Sequence, residues 1–438
     1  TGCVFVALKG EHVDGHRFIS DALKKGAALI VASDENALAN VPNYLLVEDT
    51  RSALSALAHA LYGAPSTRLQ LVGVTGTNGK TTYTYITEAA LAAAGSNVGV
   101  IGTVDYRFSG KSFTMPHTTP EAPVFCKFLS DMAQGDVDVA LAEVSSHAIE
   151  LKRTDNLQFA VVVFTNLSQD HLDFHGTLTE YGAVKTRLFT VMAPRGGRVL
   201  AAVINIDDSL GAEIASQLDY PVLTYGLDAS HADVSTDALV AAVDGLSFVA
   251  TGPWGKLDIR SHLVGRHNVY NILAALATAH VLGRDVSKAA AGIEALASVP
   301  GRLESISNPG SAGLWVDYCH TPDALHQVLK ALRPVVSNRL ITVFGAGGDR
   351  DREKRPLMAE AVEQYSDLAV VTSDNPRSED PLAIIDDILQ GLSPEYRFTS
   401  TLVIPDRAQA IEAAISIAYE GDGVLIGGKG HEPYQLIG

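Results

Sequence analysis

Nine consecutive residues, Val74-Thr75-Gly76-Thr77-Asn78-Gly79-Lys80-Thr81-Thr82, carry the residue types and order that can hold a nucleotide's phosphates. Glycines without Cβ atoms let successive backbone N–H groups turn onto phosphate oxygens, and the start of a following helix adds partial positive charge. Lys80 would neutralise the terminal phosphates, and the Thr81 hydroxyl could complete the oxygen shell of a Mg²⁺ ion. The strict pattern G-x-x-x-x-G-K-[ST] is not met, because Val74 stands in its first position and the nearest glycine is Gly73. Alone, the loop leaves motor, switch, kinase and ligase chemistry open.

Other polar residues gather at the ends of apolar runs. Glu143 closes one run just before Ser145-Ser146-His147, and Asn166 to His171 follow another, so carboxylate and imidazole could ligate Mg²⁺ near the phosphate loop. Each also has a plainer reading as a solvated or capping group. His117-Thr118-Thr119-Pro120-Glu121 reads equally as a turn into a Thr-capped helix, and Lys9 to His16 as a simple turn. Lys185 lies at helical spacing with Tyr181, Leu188 and Phe189, the pattern of a lysine whose stem covers apolar groups. Asn268 opens an alanine-rich helix and could cap it or meet a purine edge.

These residues need strands to carry them. Leu69 to Val74, Val98 to Ile101, Val137 to Val144, Phe159 to Phe164 and Val199 to Ile204 read as strands, and Tyr83 to Ala94 as the helix after the loop. Their alternation with helices predicts a largely parallel sheet with its site at the strands' C-terminal ends. From about Gly301 the pattern restarts, with Leu314 to Tyr318, Arg339 to Phe344, Leu368 to Thr372, Leu402 to Ile404 and Val424 to Ile426 as strands. Four polar loops follow strands there: Asp317 to Pro322, Gly345 to Asp351, Asp374 to Arg377 and Gly428 to Glu432. Convergence on one sheet edge is the signature of a ligand site. The Gly345 loop lacks G-x-G-x-x-G spacing, so it does not predict NAD.

The chain is α/β throughout, and its 438 residues suggest three domains: 1–66, a linker at Ala64-Pro65-Ser66, then 67–300 and 301–438. A net charge of −17 argues against nucleic acid or an anionic membrane as main partner. Cys3, Cys126 and Cys319 are far apart and share no metal spacing, which points to a reducing, cytoplasmic compartment. No apolar run predicts a membrane span. Both ends are expected to be truncated, since the chain enters directly on the strand-like Val4 to Leu8 and stops just after Lys429 to Gln435.

Taken together, Gly76 to Thr82, Glu143 to His147, Asn166 to Asp173, Gly301-Arg302, Asp317 to Pro322 and the closing Gly-Lys-Gly-His-Glu resemble the Mur ligase family over nearly the whole chain. The resemblance accounts for Val74, because the family loop has this shorter glycine spacing. It implies a phosphate-loop central domain between a uridine-nucleotide-binding domain and a Rossmann-like C-terminal domain. It implies ATP and Mg²⁺ as cofactors and amide-bond formation through an acyl phosphate in peptidoglycan precursor synthesis, by a monomer.

The resemblance also assigns roles. Gly76, Thr77, Asn78, Gly79, Lys80, Thr81 and Thr82, with Asn268, Arg302 and Asp317, would bind ATP. Thr81 and Glu143 would hold one Mg²⁺, His171 a second, and Lys185 matches a lysine that the family carbamylates. Thr118, Thr119, Ser145 and Arg153 would hold the muramoyl dipeptide, with Glu11, His12 and Val13 at the uridine nucleotide of UDP-N-acetylmuramoyl-L-alanyl-D-glutamate. His117, Leu151 and His267 depart from residues common in the family. Asp374-Asn375-Pro376-Arg377 matches members that add meso-diaminopimelate, whose extra carboxylate a guanidinium can clamp. The implied pocket is Arg350, Asp374, Asn375, Pro376, Arg377, Gly428 and Glu432, with Glu432 meeting the far ammonium. The alternatives are an L-lysine-adding ligase, a folylpolyglutamate synthetase or, from another class, a nucleotide-dependent switch.

Overall fold

A computed structural model describes residues 2–10, 13–227, 232–242, 245–306 and 312–437. The chain forms two compact units, one of Thr1–Thr75, Asn97–Val162 and Ala183–Leu200, the other of Gly76–Ser96, Val163–Gly182 and Ala201–Gly438.

In the first unit, Val4–Val6, Leu29–Ala32 and Tyr44–Leu46 form a small parallel sheet. A second sheet sets Gln70–Thr75 and Val98–Ile101 on either side of Val139–Glu143, all parallel. Val139–Glu143 is buried at every residue, as its near-continuous apolar sequence requires of a strand covered on both faces. Beyond Val98–Ile101 the sheet turns antiparallel through Tyr106–Phe108 and Lys111–Phe113. Ser109 and Gly110, at φ 49° and 73°, make the tight turn between them.

In the second unit, the helix Lys80–Ala93 packs on His267–Val281 and Val286–Ala295. The approach is close: a Cβ on Gly292 would lie 2.3 Å from the Ala89 carbonyl oxygen. Where the periodicity names no strand, Ser235–Ala242, Gly245–Gly252 and Gly255–Ser261 form a separate antiparallel sheet. The last third carries six strands in the order Glu304–Ser305, Gly313–Asp317, Gly423–Gly427, Leu340–Phe344, Leu368–Val371 and Thr401–Val403. All its pairings are parallel except the first. Trp315, 1 % exposed, fills its core with Leu329, Leu340 and Phe344, while Trp254 sits half-buried by the antiparallel sheet. Helices leave the strand ends from built caps: Thr321 accepts the Ala324 N–H with Pro322 next to it, and Asp380 accepts the Leu382 N–H with Pro381 next to it.

Candidate active site

The phosphate loop is shaped by the segment after Val161–Phe164. Asn166 accepts the Thr77 N–H through its carbonyl at 2.8 Å and the Asn78 N–H through its side-chain oxygen at 3.0 Å. The Thr165 hydroxyl donates to Asn78 O at 2.7 Å, and Ser168 N–H donates to the Thr77 hydroxyl at 2.9 Å. Gly76, at φ +148°, has no room for a side chain, since a Cβ there would lie 1.9 Å from the Thr165 hydroxyl. Lys80 donates to the carbonyls of Gly76 and Thr77 at 2.8 and 2.9 Å. Its ammonium therefore lies over the loop. Thr81 and Thr82 are buried in the first turn of the helix.

His171, exposed and at φ +54°, starts the short helix Leu172–His175, with its Nε2 3.5 Å from Asp170. Asn268 does not cap its helix. It lies inside the first turn, donates to Val264 O at 2.8 Å and accepts from the Asn271 amide at 3.0 Å. Helix capping needs the residue just before the helix, and that residue is Arg266.

Arg302 connects two parts of the second unit. Its Nη2 lies 3.4 Å from the Thr81 hydroxyl, and its guanidinium carbon stands 5.0 Å from the centre of the Tyr318 ring. The Tyr318 hydroxyl donates to Glu432 at 3.2 Å. Burial pushes that phenol up to about 12, so it remains a donor. Asp317 is buried and accepts the N–H groups of Leu303 and Cys319, both at 2.7 Å. Burial raises its carboxyl despite the nearby Arg302.

Asp374, Asn375 and Pro376 are buried, while Arg377 bends back at φ +52° to donate to Gly348 O at 2.7 Å. Gly348 N–H in turn donates to Asn375 O at 2.9 Å, which locks the two loops together. Arg355, wholly buried, secures the first of them through Gly347 O and binds Glu379 and Asp387, each at 2.8 Å. The Arg355 guanidinium, with the Asp349 N–H, holds the Glu379 carboxyl down at about 2. Arg350 is exposed, and Gly428, at φ +106°, has a Cβ position only 2.5 Å from Asp374 Oδ2.

The first unit gathers the residues expected to hold the muramoyl dipeptide. Thr119, buried, donates to Glu143 O at 2.7 Å and accepts the Ser145 N–H at 3.1 Å. Arg153 donates to Thr119 O at 2.9 Å and pairs with Glu121 at 2.8 Å, while its buried Nε has no partner among the described residues. Thr118 and Thr103 share a hydroxyl contact at 3.0 Å, and Thr103 donates to both oxygens of Glu143, from its N–H at 3.0 Å and its hydroxyl at 2.8 Å. Lys185 is 1 % exposed, not the surface lysine that its spacing allows. Val13 is exposed, and Glu11 and His12 lie outside the described residues.

Among the described residues no group of three or more His, Cys, Asp or Glu could hold a metal. Mg²⁺ takes one or two protein oxygens and completes its shell with water and phosphate. Glu143 has the required character, a buried carboxylate beside Gly102, where a Cβ would lie 2.6 Å from Oε1.

Sequence reasoning names neither Asn166 and Thr165 as builders of the loop nor Tyr318, Arg355 and Lys429 as parts of the pocket. Asn166, Tyr318 and Lys429 carried a signal, lying inside motifs already singled out, whereas Thr165 and Arg355 carried none.

Three family models match: the Mur ligase family catalytic domain at residues 1–62, the Mur ligase middle domain at 74–279 and the Mur ligase glutamate ligase domain at 301–430. A UDP-N-acetylmuramoyl-L-alanyl-D-glutamate--2,6-diaminopimelate ligase of Geobacter sulfurreducens is 44% identical over 456 residues, covering 100% of this chain and 89% of its own. One of Geobacillus thermodenitrificans is 43% identical over 439 residues, with 100% and 89% covered. A solved structure of a ligase of that description aligns with TM-score 0.71 at 35% identity, over 100% of this chain and 89% of its own. With its three segments matched in order and relatives of this identity aligned over 100% of this chain, the chain belongs to the Mur ligase family of ATP-dependent ligases.

Proposed function

We propose that the protein joins meso-diaminopimelate to the D-glutamyl carboxylate of UDP-N-acetylmuramoyl-L-alanyl-D-glutamate at the expense of ATP, the activity of MurE-type ligases. A carboxylate is a poor electrophile until one oxygen becomes a phosphate leaving group. ATP therefore phosphorylates it, the amine attacks the acyl phosphate, and the tetrahedral intermediate collapses to amide and phosphate. The single observation that carries this reading is the Arg302 link. One guanidinium touches Thr81 of the phosphate loop and Tyr318, whose hydroxyl reaches Glu432 of the amino-acid loops. An enzyme that only switched on nucleotide would not need a polar pocket at the other end.

The chain's own residues divide the work. Gly76 to Thr82 cradle the triphosphate, with Lys80 countering charge on the transferred phosphoryl group and Asn268, Arg302 and Asp317 on the nucleotide. Thr118, Thr119, Ser145 and Arg153 hold the dipeptide, and Glu11 to Val13 the uridine nucleotide. Arg350, Asp374 to Arg377, Gly428 and Glu432 hold diaminopimelate. Thr81 and Glu143 would each offer an oxygen to Mg²⁺, with His171 and Lys185, as its carbamate, expected at a second position, and the ion would supply charge neutralisation on the phosphates. In this reading residues 1–66, 67–300 and 301–438 are the substrate, ATP and amino-acid domains of a cytoplasmic monomer. No described helix is long and apolar enough to cross a membrane.

The test is ADP release with substrates added in turn. Release requiring both the UDP-linked dipeptide and meso-diaminopimelate is expected. Equal turnover with L-lysine would refute the amino-acid assignment, and release with nucleotide alone would refute the ligase reading.

A further inference from the structure

Lys429 is not among the residues that the family resemblance assigns to substrate, yet it is a buried and closely partnered cation of the amino-acid pocket. It is 7 % exposed. Its Nζ lies 2.8 Å from Asn375 Oδ1, 2.8 Å from Glu432 Oε2 and 3.8 Å from Asp374 Oδ1. The Tyr434 ring centre is 5.2 Å away. An ammonium has three protons to place, and burial of its charge is tolerated only when they are placed on acceptors.

Each partner is itself held from a second side. Asn375 Oδ1 also accepts the Leu436 N–H at 2.9 Å, and two donors on that oxygen fix which edge of the amide faces them. Glu432 Oε1 accepts the Tyr318 hydroxyl at 3.2 Å. Lys429 thus ties the Asp374 to Arg377 loop to the Gly428 to Glu432 loop through side chains on both.

We propose that Lys429 is a positioning residue for the incoming amino acid, fixing the Asn375 amide and the Glu432 carboxylate in the single geometry in which they receive it. The proposal rests on the reading of these loops as the diaminopimelate pocket. Removing the ammonium would leave two carboxylates, Glu432 and Asp374, without their shared cation and take one of the two donors from Asn375 Oδ1. The charge balance supports the same role. Burial alone would raise the Glu432 carboxyl, but Lys429, Tyr318 and Asn375 more than offset it and leave it below the ordinary range. The other charged and titratable groups around it are Asp374 on the facing loop, with Arg407 behind it, Arg302 beyond Tyr318, and His431 and Tyr434 on its own segment.

Steady-state ADP release with the full chain tests this. Lys429→Met is expected to raise KM for meso-diaminopimelate about tenfold or more, the loss typical of a charge-assisted contact, while KM for ATP stays within about twofold. Lys429→Arg should restore most of the affinity. In the Met variant the rise of KM on acidification should begin at higher pH than in wild type, because Glu432 then protonates more readily. An equal rise in both KM values, a fall in kcat alone, or an unmoved pH profile would overturn the proposal. Should Lys429→Met fail to fold, Lys429→Gln, which keeps a donor to Asn375 without the charge, is read against the same outcomes. Failure of the underlying reading is distinct, since wild-type protein would then release no ADP in response to meso-diaminopimelate.

Discussion

Two glycine-rich loops at strand ends, Gly76 to Gly79 and Gly345 to Gly348, use the same residue for different reasons. In the first, Gly76 and Gly79 adopt φ +148° and +89°, backbone that L side chains rarely enter, and Asn166 takes up the N–H groups of Thr77 and Asn78. In the second, no glycine has positive φ. Its glycines are required by closeness: a Cβ on Gly345 would lie 2.3 Å from Thr372 O, and one on Gly348 1.9 Å from Pro376 O. The left-handed residues there are Asp349 and Arg377, at φ 51° and 52°. The first loop needs glycine for its backbone conformation as well as for closeness to Thr165, the second for closeness alone. A glycine-rich stretch therefore signals a phosphate site only when its conformation demands glycine.

The largest expected effect breaks the first loop. Lys80→Met should lower ADP release about 10²–10³-fold, as loss of a charge-stabilising group does, with the fold intact by circular dichroism. Near-wild-type turnover would refute its place on the phosphates. Next, Gly348→Ala should push Pro376 away, destabilise the protein by about 1–3 kcal/mol and raise KM for meso-diaminopimelate, leaving KM for ATP unchanged. A parallel loss of ATP affinity would show that the two loops do not act separately. The smallest effect sharpens the strain argument. Arg377→Ala and Arg377→Gly should both abolish diaminopimelate use, but the glycine variant should be more stable by about 1 kcal/mol in denaturant titration. Greater stability of the alanine variant would remove the claim of strain.

The strand, loop and helix from Gln70 to Ala93 were legible because the pattern is local: an apolar run, a glycine loop, then a helix that begins at Lys80, earlier than the apolar spacing from Tyr83 suggests. The parallel strands of the last third read equally well, since full burial leaves continuous apolar runs. The antiparallel sheet over Ser235–Ser261 was missed, because exposed and buried positions mix along Ser235–Ala242 and a bulge breaks its register. In the site, residue types at strand ends were readable, but their partners were not. Lys429 meets Asn375 across 54 positions, a relation that only folding creates. Arg355 likewise reads as one more charge in a polar helix start until its two carboxylates are seen around it.

The chain has two tryptophans, and their surroundings make them separate optical reporters. Trp315 is enclosed in the six-stranded core, three positions before Tyr318, so its fluorescence should emit at short wavelength and respond to rearrangement around Glu432. Trp254 lies on the antiparallel sheet with its ring centre 5.6 Å from that of His280, away from the amino-acid loops in sequence. Amino-acid binding can therefore be followed in the untagged, unlabelled protein.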